Sequence, residues 1–353
     1  MTDQKYISKL SPVTDYGTGA FLLVVVLEAA RRRAPRLKPP ELLSVNLALT
    51  DLGAAVSMYP LAIASAWSHR WVGGHPACVY YGLMGLLFGV ASIATLTVMA
   101  VVRLVMTSVS HVPARWVPTW RRVWQAIVAV WFYALLWCLL PLIGWGSYGP
   151  EPFGMACSIA WADAHQTTHA TAFVFLFLFL GVLLPMATIT FSYARIAYVH
   201  HRAYRTLKNN GTITLSGRPA QRLTLMSVLV SVGFMTSWVP YAVVSMWSMF
   251  SSSEAIPLQV SLLPCLFAKA STVYNPLIYY AFSRTFRRQV HSLLPSCQPE
   301  HDAPDHLAAV HWNRGGHIQV LPLPCPHDPG SPGTPGRDIW DPQERIPVRG
   351  RPS

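Results

Sequence analysis

Six long apolar runs constrain this chain more than any other feature: residues 41–66, 77–106, 122–145, 169–198, 221–250 and 256–282. Each reaches the roughly 20 residues an α-helix needs to cross a hydrocarbon core. Backbone groups in lipid must satisfy one another within the segment, so runs of this length read as membrane-spanning helices. An earlier stretch, "GAFLLVVVLEAA" at 19–30, is shorter, with an apolar core from Ala20 to Leu27 and Glu28 inside it. Alone it is too short to cross. Composition agrees with a membrane protein: 52% of residues are hydrophobic and 12% charged, against about 25% charged in soluble domains.

The formal charge of +12 follows the topology rather than a nucleic-acid surface, because the arginines lie between apolar runs and not interleaved with aromatics on one solvated face. Arg31, Arg32, Arg33 and Arg36, then Arg103, Arg121 and Arg122, then Arg195, Arg202 and Arg205, then Arg284, Arg287 and Arg288 fall on one side. Among strong bases the opposite loops carry only Arg70. The positive-inside bias makes the arginine side cytoplasmic, with the C-terminus inside and the N-terminus outside if residues 16–30 cross. The first residues lack the basic, apolar and small-residue order of a cleavable signal. The expected organisation is an extracellular segment 1–15, a helical core 16–288 ending in the short amphipathic stretch "SRTFRRQVHSLL", and a Pro-rich cytoplasmic tail 289–353 of disordered composition.

Cys78 opens one span on the outer side and Cys157 lies in the outer loop between two later ones, so the two can form a disulfide in an oxidising compartment. Cys138 and Cys265 lie within spans and read as packing residues. Cys297 follows the basic-amphipathic stretch and is either a palmitoylation site or a plain thiol. The sequon at Asn210 falls in a cytoplasmic loop and is expected to stay unmodified.

Lys269 stands alone among five lysines in lying within a span, in "LFAKASTVYNPLIYY". An ionisable side chain at membrane depth marks a functional site by default. Three readings compete for it. It is satisfied structurally by an ion pair or water; or it is a relay in a transporter with Asp51, the only acid within a span; or it is a nucleophilic amine that burial shifts toward the neutral form, able to condense with an aldehyde. The adjacent span offers walls for an apolar ligand, since Phe234, Trp238 and Tyr241 recur at spacings of four and three on one helix face, beside Pro240. An aromatic stripe of this kind is also ordinary core packing.

These residues together resemble an opsin, in the rhodopsin-like class of G-protein-coupled receptors. The lysine precedes Asn275, Pro276 and Tyr279 as the opsin attachment lysine precedes its Asn-Pro-x-x-Tyr element. "SWVPY" resembles the Cys-Trp-x-Pro switch with Ser237 in place of Cys, and "NLALTDLG" carries the second-span aspartate as Asp51. Cys78 and Cys157 match the receptor disulfide. Longer stretches, including "HRWVGGHPACVYYG", "PLIGWGSYGPEPFG" and "IPLQVSLLPCLFAKAS", are similar to the neuropsin group over residues 39–288. The resemblance implies an all-α membrane protein, a seven-transmembrane helix bundle in which 16–30 is an abbreviated first helix, placed in the cell membrane. It implies a retinal Schiff base on Lys269, a short-wavelength or ultraviolet photoreceptor, and a heterotrimeric G protein of inhibitory type as partner. No catalytic or metal-ligating set is assigned, so the chain is read as a receptor and not an enzyme; the alternative is a retinal photoisomerase or retinoid-binding opsin with little G-protein output.

The resemblance also gives the acids roles. Residues 78–106 contain none, and Tyr81 occupies the position where vertebrate visual pigments place a glutamate. Glu151 matches the alternative opsin counterion and is assigned to support the protonated state. With so little negative charge nearby, a neutral, ultraviolet-absorbing dark state is expected. Two departures stand out. Arg103 is flanked by Val102 and Leu104 where receptors carry an acid and a tyrosine, and Ala220 replaces a glutamate that many opsins use to hold that arginine. The expected Gly-Asn pair of the first span is absent between Tyr16 and Ala30.

Overall fold

The computed structural model describes residues 38–108, 118–151, 154–161, 167–209, 218–250 and 257–282, with isolated positions at 24, 28, 31, 287, 311, 312, 318 and 319. The chain divides into Met1–Cys297 and Gln298–Ser353. In the first unit the helices are α1 (Glu41–Trp67), α2 (Gly74–Thr107), α3 (Trp120–Leu139), α4 (Thr168–Leu176), α5 (Leu184–Asn209), α6 (Arg218–Phe250) and α7 (Leu258–Phe282). A π-helical turn, Phe177–Leu183, joins α4 to α5 in one continuous rod, so the described residues form six rods. Those rods coincide with the six expected spans. Of the short first helix only Val24, Glu28 and Arg31 are described, each helical, with Arg31 Nε 2.7 Å from Glu28 Oε2 one turn away. The rest of that helix lies outside the described residues, as do Cys297 and the amphipathic stretch apart from Arg287.

α5 runs eleven residues past the expected end at 198, reaching Asn209. The sequence "RIAYVHHRAYRTLKN" leaves the apolar range but holds neither Gly nor Pro, so hydrogen bonding continues after lipid burial ends. α6 likewise runs unbroken through Pro240. α3 tightens into a 3-10 turn, Leu140–Ile143, and stops at Gly144, whose φ of 92° only glycine adopts without strain.

Among the described residues five stretches, Glu41–Trp67, Gly74–Thr107, Trp120–Ile143, Thr168–Ala203 and Thr224–Phe250, are long and apolar enough to cross a membrane. Their outer faces carry exposed large apolar side chains such as Val56, Phe132, Phe179 and Leu183. That distribution suits lipid as solvent. The buried interfaces are where the polar groups go: Trp131 Nε1 donates to Asn46 Oδ1 at 3.0 Å, and Asn46 Nδ2 donates to Thr95 Oγ1 at 2.8 Å. Hydroxyls and amides between helices bond one another because hydrocarbon offers them no partner. α2 is the axis, packing on α1, α3, α5 and α6.

At the α2 N-terminal end, β1 (Tyr148–Pro150) and β2 (Cys157–Ile159) form an antiparallel pair with Gly149 opposite Ser158. The Cys78–Cys157 disulfide, present as expected, ties β2 to the first turns of α2. The Tyr148 hydroxyl donates to the Cys138 carbonyl at 2.7 Å, anchoring β1 on the end of α3. Burial pushes the Tyr148 phenol well above its usual range. In the second unit the described residues are β3 (His311–Trp312) and β4 (Ile318–Gln319), an antiparallel pair of two residues each.

Candidate functional site

A cavity of about 140 Å³ opens between α2, the hairpin, the π turn, α6 and α7. Its lining is largely apolar, with Lys269, Glu151, Tyr81 and Tyr241 among the few polar side chains. That combination, an apolar enclosure with a small convergent polar set, is the usual character of a small-molecule site.

α7 delivers Lys269 to the cavity by packing its own backbone outward. The Tyr59 hydroxyl of α1 donates to the Lys269 carbonyl at 2.8 Å and also pairs with the Thr272 hydroxyl. The side chain then extends toward α2, where its Nζ lies 5.5 Å from the Tyr81 ring centroid. One turn earlier on α7, Cys265 places its Sγ 2.7 Å from Nζ. Cys265 is therefore more than the packing residue the sequence led us to expect: its thiol lines the cavity and contacts the amine.

Glu151 follows β1 immediately and is buried against the helices. Its main-chain N–H donates to the Ala156 carbonyl at 2.9 Å, which closes the hairpin and turns the carboxylate inward. The Tyr241 hydroxyl of α6 donates to Glu151 Oε1 at 3.3 Å. Glu151, Tyr81 and Lys269, drawn from three separate stretches of sequence, line one space.

The aromatic stripe of α6 is a wall rather than buried packing alone. Phe234 stacks on Trp238 with ring centroids 5.5 Å apart, and Trp238 meets Tyr241 edge-on at 5.9 Å. Trp238 Nε1 donates to Ser271 Oγ of α7 at 3.1 Å, two residues beyond Lys269. This bond couples the two helices that frame the amine.

Sequence reasoning missed the opposite wall. Gly82, Gly85 and Gly89 face the cavity from α2 at spacings of three and four. A Cβ on Gly82 would lie 2.7 Å from Tyr148 Cδ1, one on Gly85 3.0 Å from Met58 Cε, and one on Gly89 3.3 Å from Trp238 Cη2. The stripe keeps α2 thin where the hairpin, α1 and α6 press against it. The signal was present in "YGLMGLLFG", glycines at helical spacing inside a span.

The Asn-Pro-x-x-Tyr element lies farther along α7. Asn275 Nδ2 donates to Asp51 Oδ2 at 2.7 Å, and Pro276 and Tyr279 are buried in the same region of α7. A smaller cavity of about 50 Å³ is lined by Asp51, Ser92, Trp238, Lys269 and Thr272. At the far end of α2, buried Arg103 directs Nε to Ser227 Oγ of α6 at 3.4 Å, a hydroxyl where a carboxylate was missing from the sequence. Ala220 belongs to the described helix α6, but its side chain lies outside the described residues.

The family model of the 7 transmembrane receptor (rhodopsin family) matches residues 21–279. The chain belongs to this family. It is a homologue of Opsin-5 from Homo sapiens, with 36% identity over 293 residues, 80% of this chain and 82% of that protein. The visual pigment-like receptor peropsin from Mus musculus is 30% identical over 282 residues, 80% of this chain and 82% of its own length. The crystal structure of squid rhodopsin superposes with a TM-score of 0.71 at 25% identity, covering 80% of this chain and 78% of that one. The seven-helix rhodopsin-like fold expected from the sequence is thereby established, and with it a multi-pass membrane protein.

Proposed function

We propose that this receptor is a retinal-binding photoreceptor, with retinal attached through its aldehyde to the Lys269 amine. The observation that carries this reading is the amine itself, at the wall of an apolar cavity that the Glu151 carboxylate and the α6 aromatics share. The residues present fit a long polyene aldehyde: a nucleophilic amine at one wall, aromatic faces on α6, and a wall on α2 that includes Gly82, Gly85 and Gly89. Bound there, retinal supplies light absorption and a change of shape.

The chain's own groups do the rest. Glu151, steadied by the Tyr241 hydroxyl, supports positive charge at the attachment nitrogen, in place of an acid at Tyr81. The sparse acid content of the cavity favours an ultraviolet-absorbing dark state. Trp238 takes up any change of shape at the cavity and passes it to α7 through Ser271 and to α6 through its own backbone. At the other end α6 is tied to α2 by the Arg103–Ser227 hydrogen bond. Light would shift a population between two arrangements of α6, because the covalent ligand interacts differently with each. The arginine-rich end is taken as cytoplasmic and as the docking face for a heterotrimeric G protein, with the inhibitory type favoured.

A second reading, a retinal photoisomerase with weak G-protein output, is favoured by the hydroxyl contact that Arg103 makes with Ser227 and by the flanking Val102 and Leu104. Light-dependent nucleotide exchange on purified inhibitory-type G protein, with isomer analysis of extracted retinal in the same samples, separates the two. Light-dependent exchange above the dark level is expected. Isomer conversion without any exchange would overturn the receptor reading.

A further inference from the structure

We propose that Cys265 and Lys269 form a reversible oxidative cross-link, a sulfur–nitrogen bond across one turn of α7, that closes the amine to aldehydes. The two groups lie at 2.7 Å, a separation usual for N–H···O contacts and short for the larger sulfur atom. They are one helical turn apart on the same face, so a bond between them needs no backbone movement. Both line the cavity, through which a small oxidant reaches them. Cys265 is one of the two free cysteines among the described residues; the other, Cys138, directs its thiol to the Leu135 carbonyl at 3.4 Å.

The chemistry balances with a peroxide as oxidant. The Cys265 thiol and hydrogen peroxide give a sulfenic acid and water; sulfur is oxidised by two electrons and the O–O bond is reduced. The Lys269 amine, in its unprotonated form, then attacks that sulfur. The S–O bond breaks, an S–N bond forms, and hydroxide leaves with the amine proton as a second water. Two equivalents of an external thiol reverse the bond, restoring thiol and amine and leaving one disulfide of the reductant. Backbone nitrogen is known to capture sulfenic sulfur in this way, and an amine already in contact is better placed. The cross-link stands apart from the identity of the ligand. Its consequence, that peroxide blocks chromophore loading of the empty receptor, rests on the reading above.

The test uses the full chain in lipid nanodiscs without retinal. Samples are treated with graded hydrogen peroxide and digested, and the peptide holding 265 and 269 is weighed. Parallel samples receive formaldehyde and cyanoborohydride, which methylate free amines, with Lys5, Lys9, Lys38 and Lys208 as internal references. We expect a peptide two hydrogens lighter, loss of Lys269 methylation in proportion to it, unchanged reference lysines, and recovery with dithiothreitol. Cys265→Ser abolishes both effects, whereas Cys138→Ser leaves them intact. Conversion of Cys265 only to sulfinic or sulfonic acid with Lys269 still methylated, or an unmodified Cys265 at peroxide doses that oxidise Cys138, would overturn the proposal. Failure of retinal binding would leave this result unaffected, so the two readings fall separately.

Discussion

Gly82→Ala isolates the contact that seats the hairpin, and Glu151 with it, on the bundle. Two helical glycines receive the same substitution with opposite expected signs. At Gly233 of α6 the added Cβ meets its nearest neighbour, Ile278 Cδ1, at 3.9 Å, an ordinary contact. There alanine gains helix propensity, about 1 kcal/mol. At Gly82 the Cβ would lie 2.7 Å from Tyr148 Cδ1 and 3.3 Å from the Ser158 carbonyl oxygen. The Tyr148 ring cannot swing aside without stretching its hydroxyl bond to Cys138, 2.7 Å long and buried. Overpacking costs about 2 kcal/mol and a strained hydrogen bond about 1 more. Subtracting the propensity gain of about 1 kcal/mol leaves a net loss of about 2 kcal/mol. Expressed wholly in the unfolding rate, that is about thirtyfold. The assay is the labelling rate of buried Cys138 by a thiol-reactive dye at fixed elevated temperature, in a Cys265→Ser, Cys297→Ser, Cys325→Ser background. Gly233→Ala should label no faster than the parent. If Gly82→Ala labels within a factor of about two of Gly233→Ala, the tight seating of the hairpin on α2 is wrong.

Three further outcomes follow from the same geometry. Burial raises the Tyr148 phenol, so the folded state keeps its proton after the unfolded chain loses one near pH 10; stability should hold below that pH and fall above it, less steeply in Tyr148→Phe, as read by the same labelling rates at pH 8 to 11. Acidifying the retinal-loaded protein should convert ultraviolet into visible absorption, and Glu151→Gln should reduce that conversion at each pH; a dark band fixed in the visible and indifferent to the substitution contradicts the counterion role. Val102→Asp supplies the carboxylate missing beside Arg103 and should lower dark nucleotide exchange several-fold, while Ser227→Ala, which removes the α2–α6 hydrogen bond, should raise it.

Much of the fold was legible because lipid imposes a coarse rule: six apolar runs became six rods, and the ends that moved did so where helical hydrogen bonding continued beyond the apolar stretch, as at Asn209. Lys269 was legible for the same reason, as a charge where none is cheap. The cavity was only half legible. The α6 stripe could be read from its period, but whether it faced a core or a ligand depended on what stood across from it. That was the glycine stripe of α2, whose significance is the absence of side chains and so leaves no apolar or polar signal. Cys265 was read as packing because a thiol in a span carries no sign of its neighbour; only the helical turn that brings Lys269 to it reveals the pair. Glu151 reached the site through a hairpin fold and a disulfide that no local pattern encodes, and resemblance alone had pointed to it.

Reductive trapping addresses the central claim most directly: incubate the purified chain with retinal in darkness, add borohydride, and map the retinyl adduct by peptide mass. A single adduct on Lys269, lost in Lys269→Ala, is the predicted result. An adduct that survives Lys269→Ala, or none on the intact chain, contradicts the account.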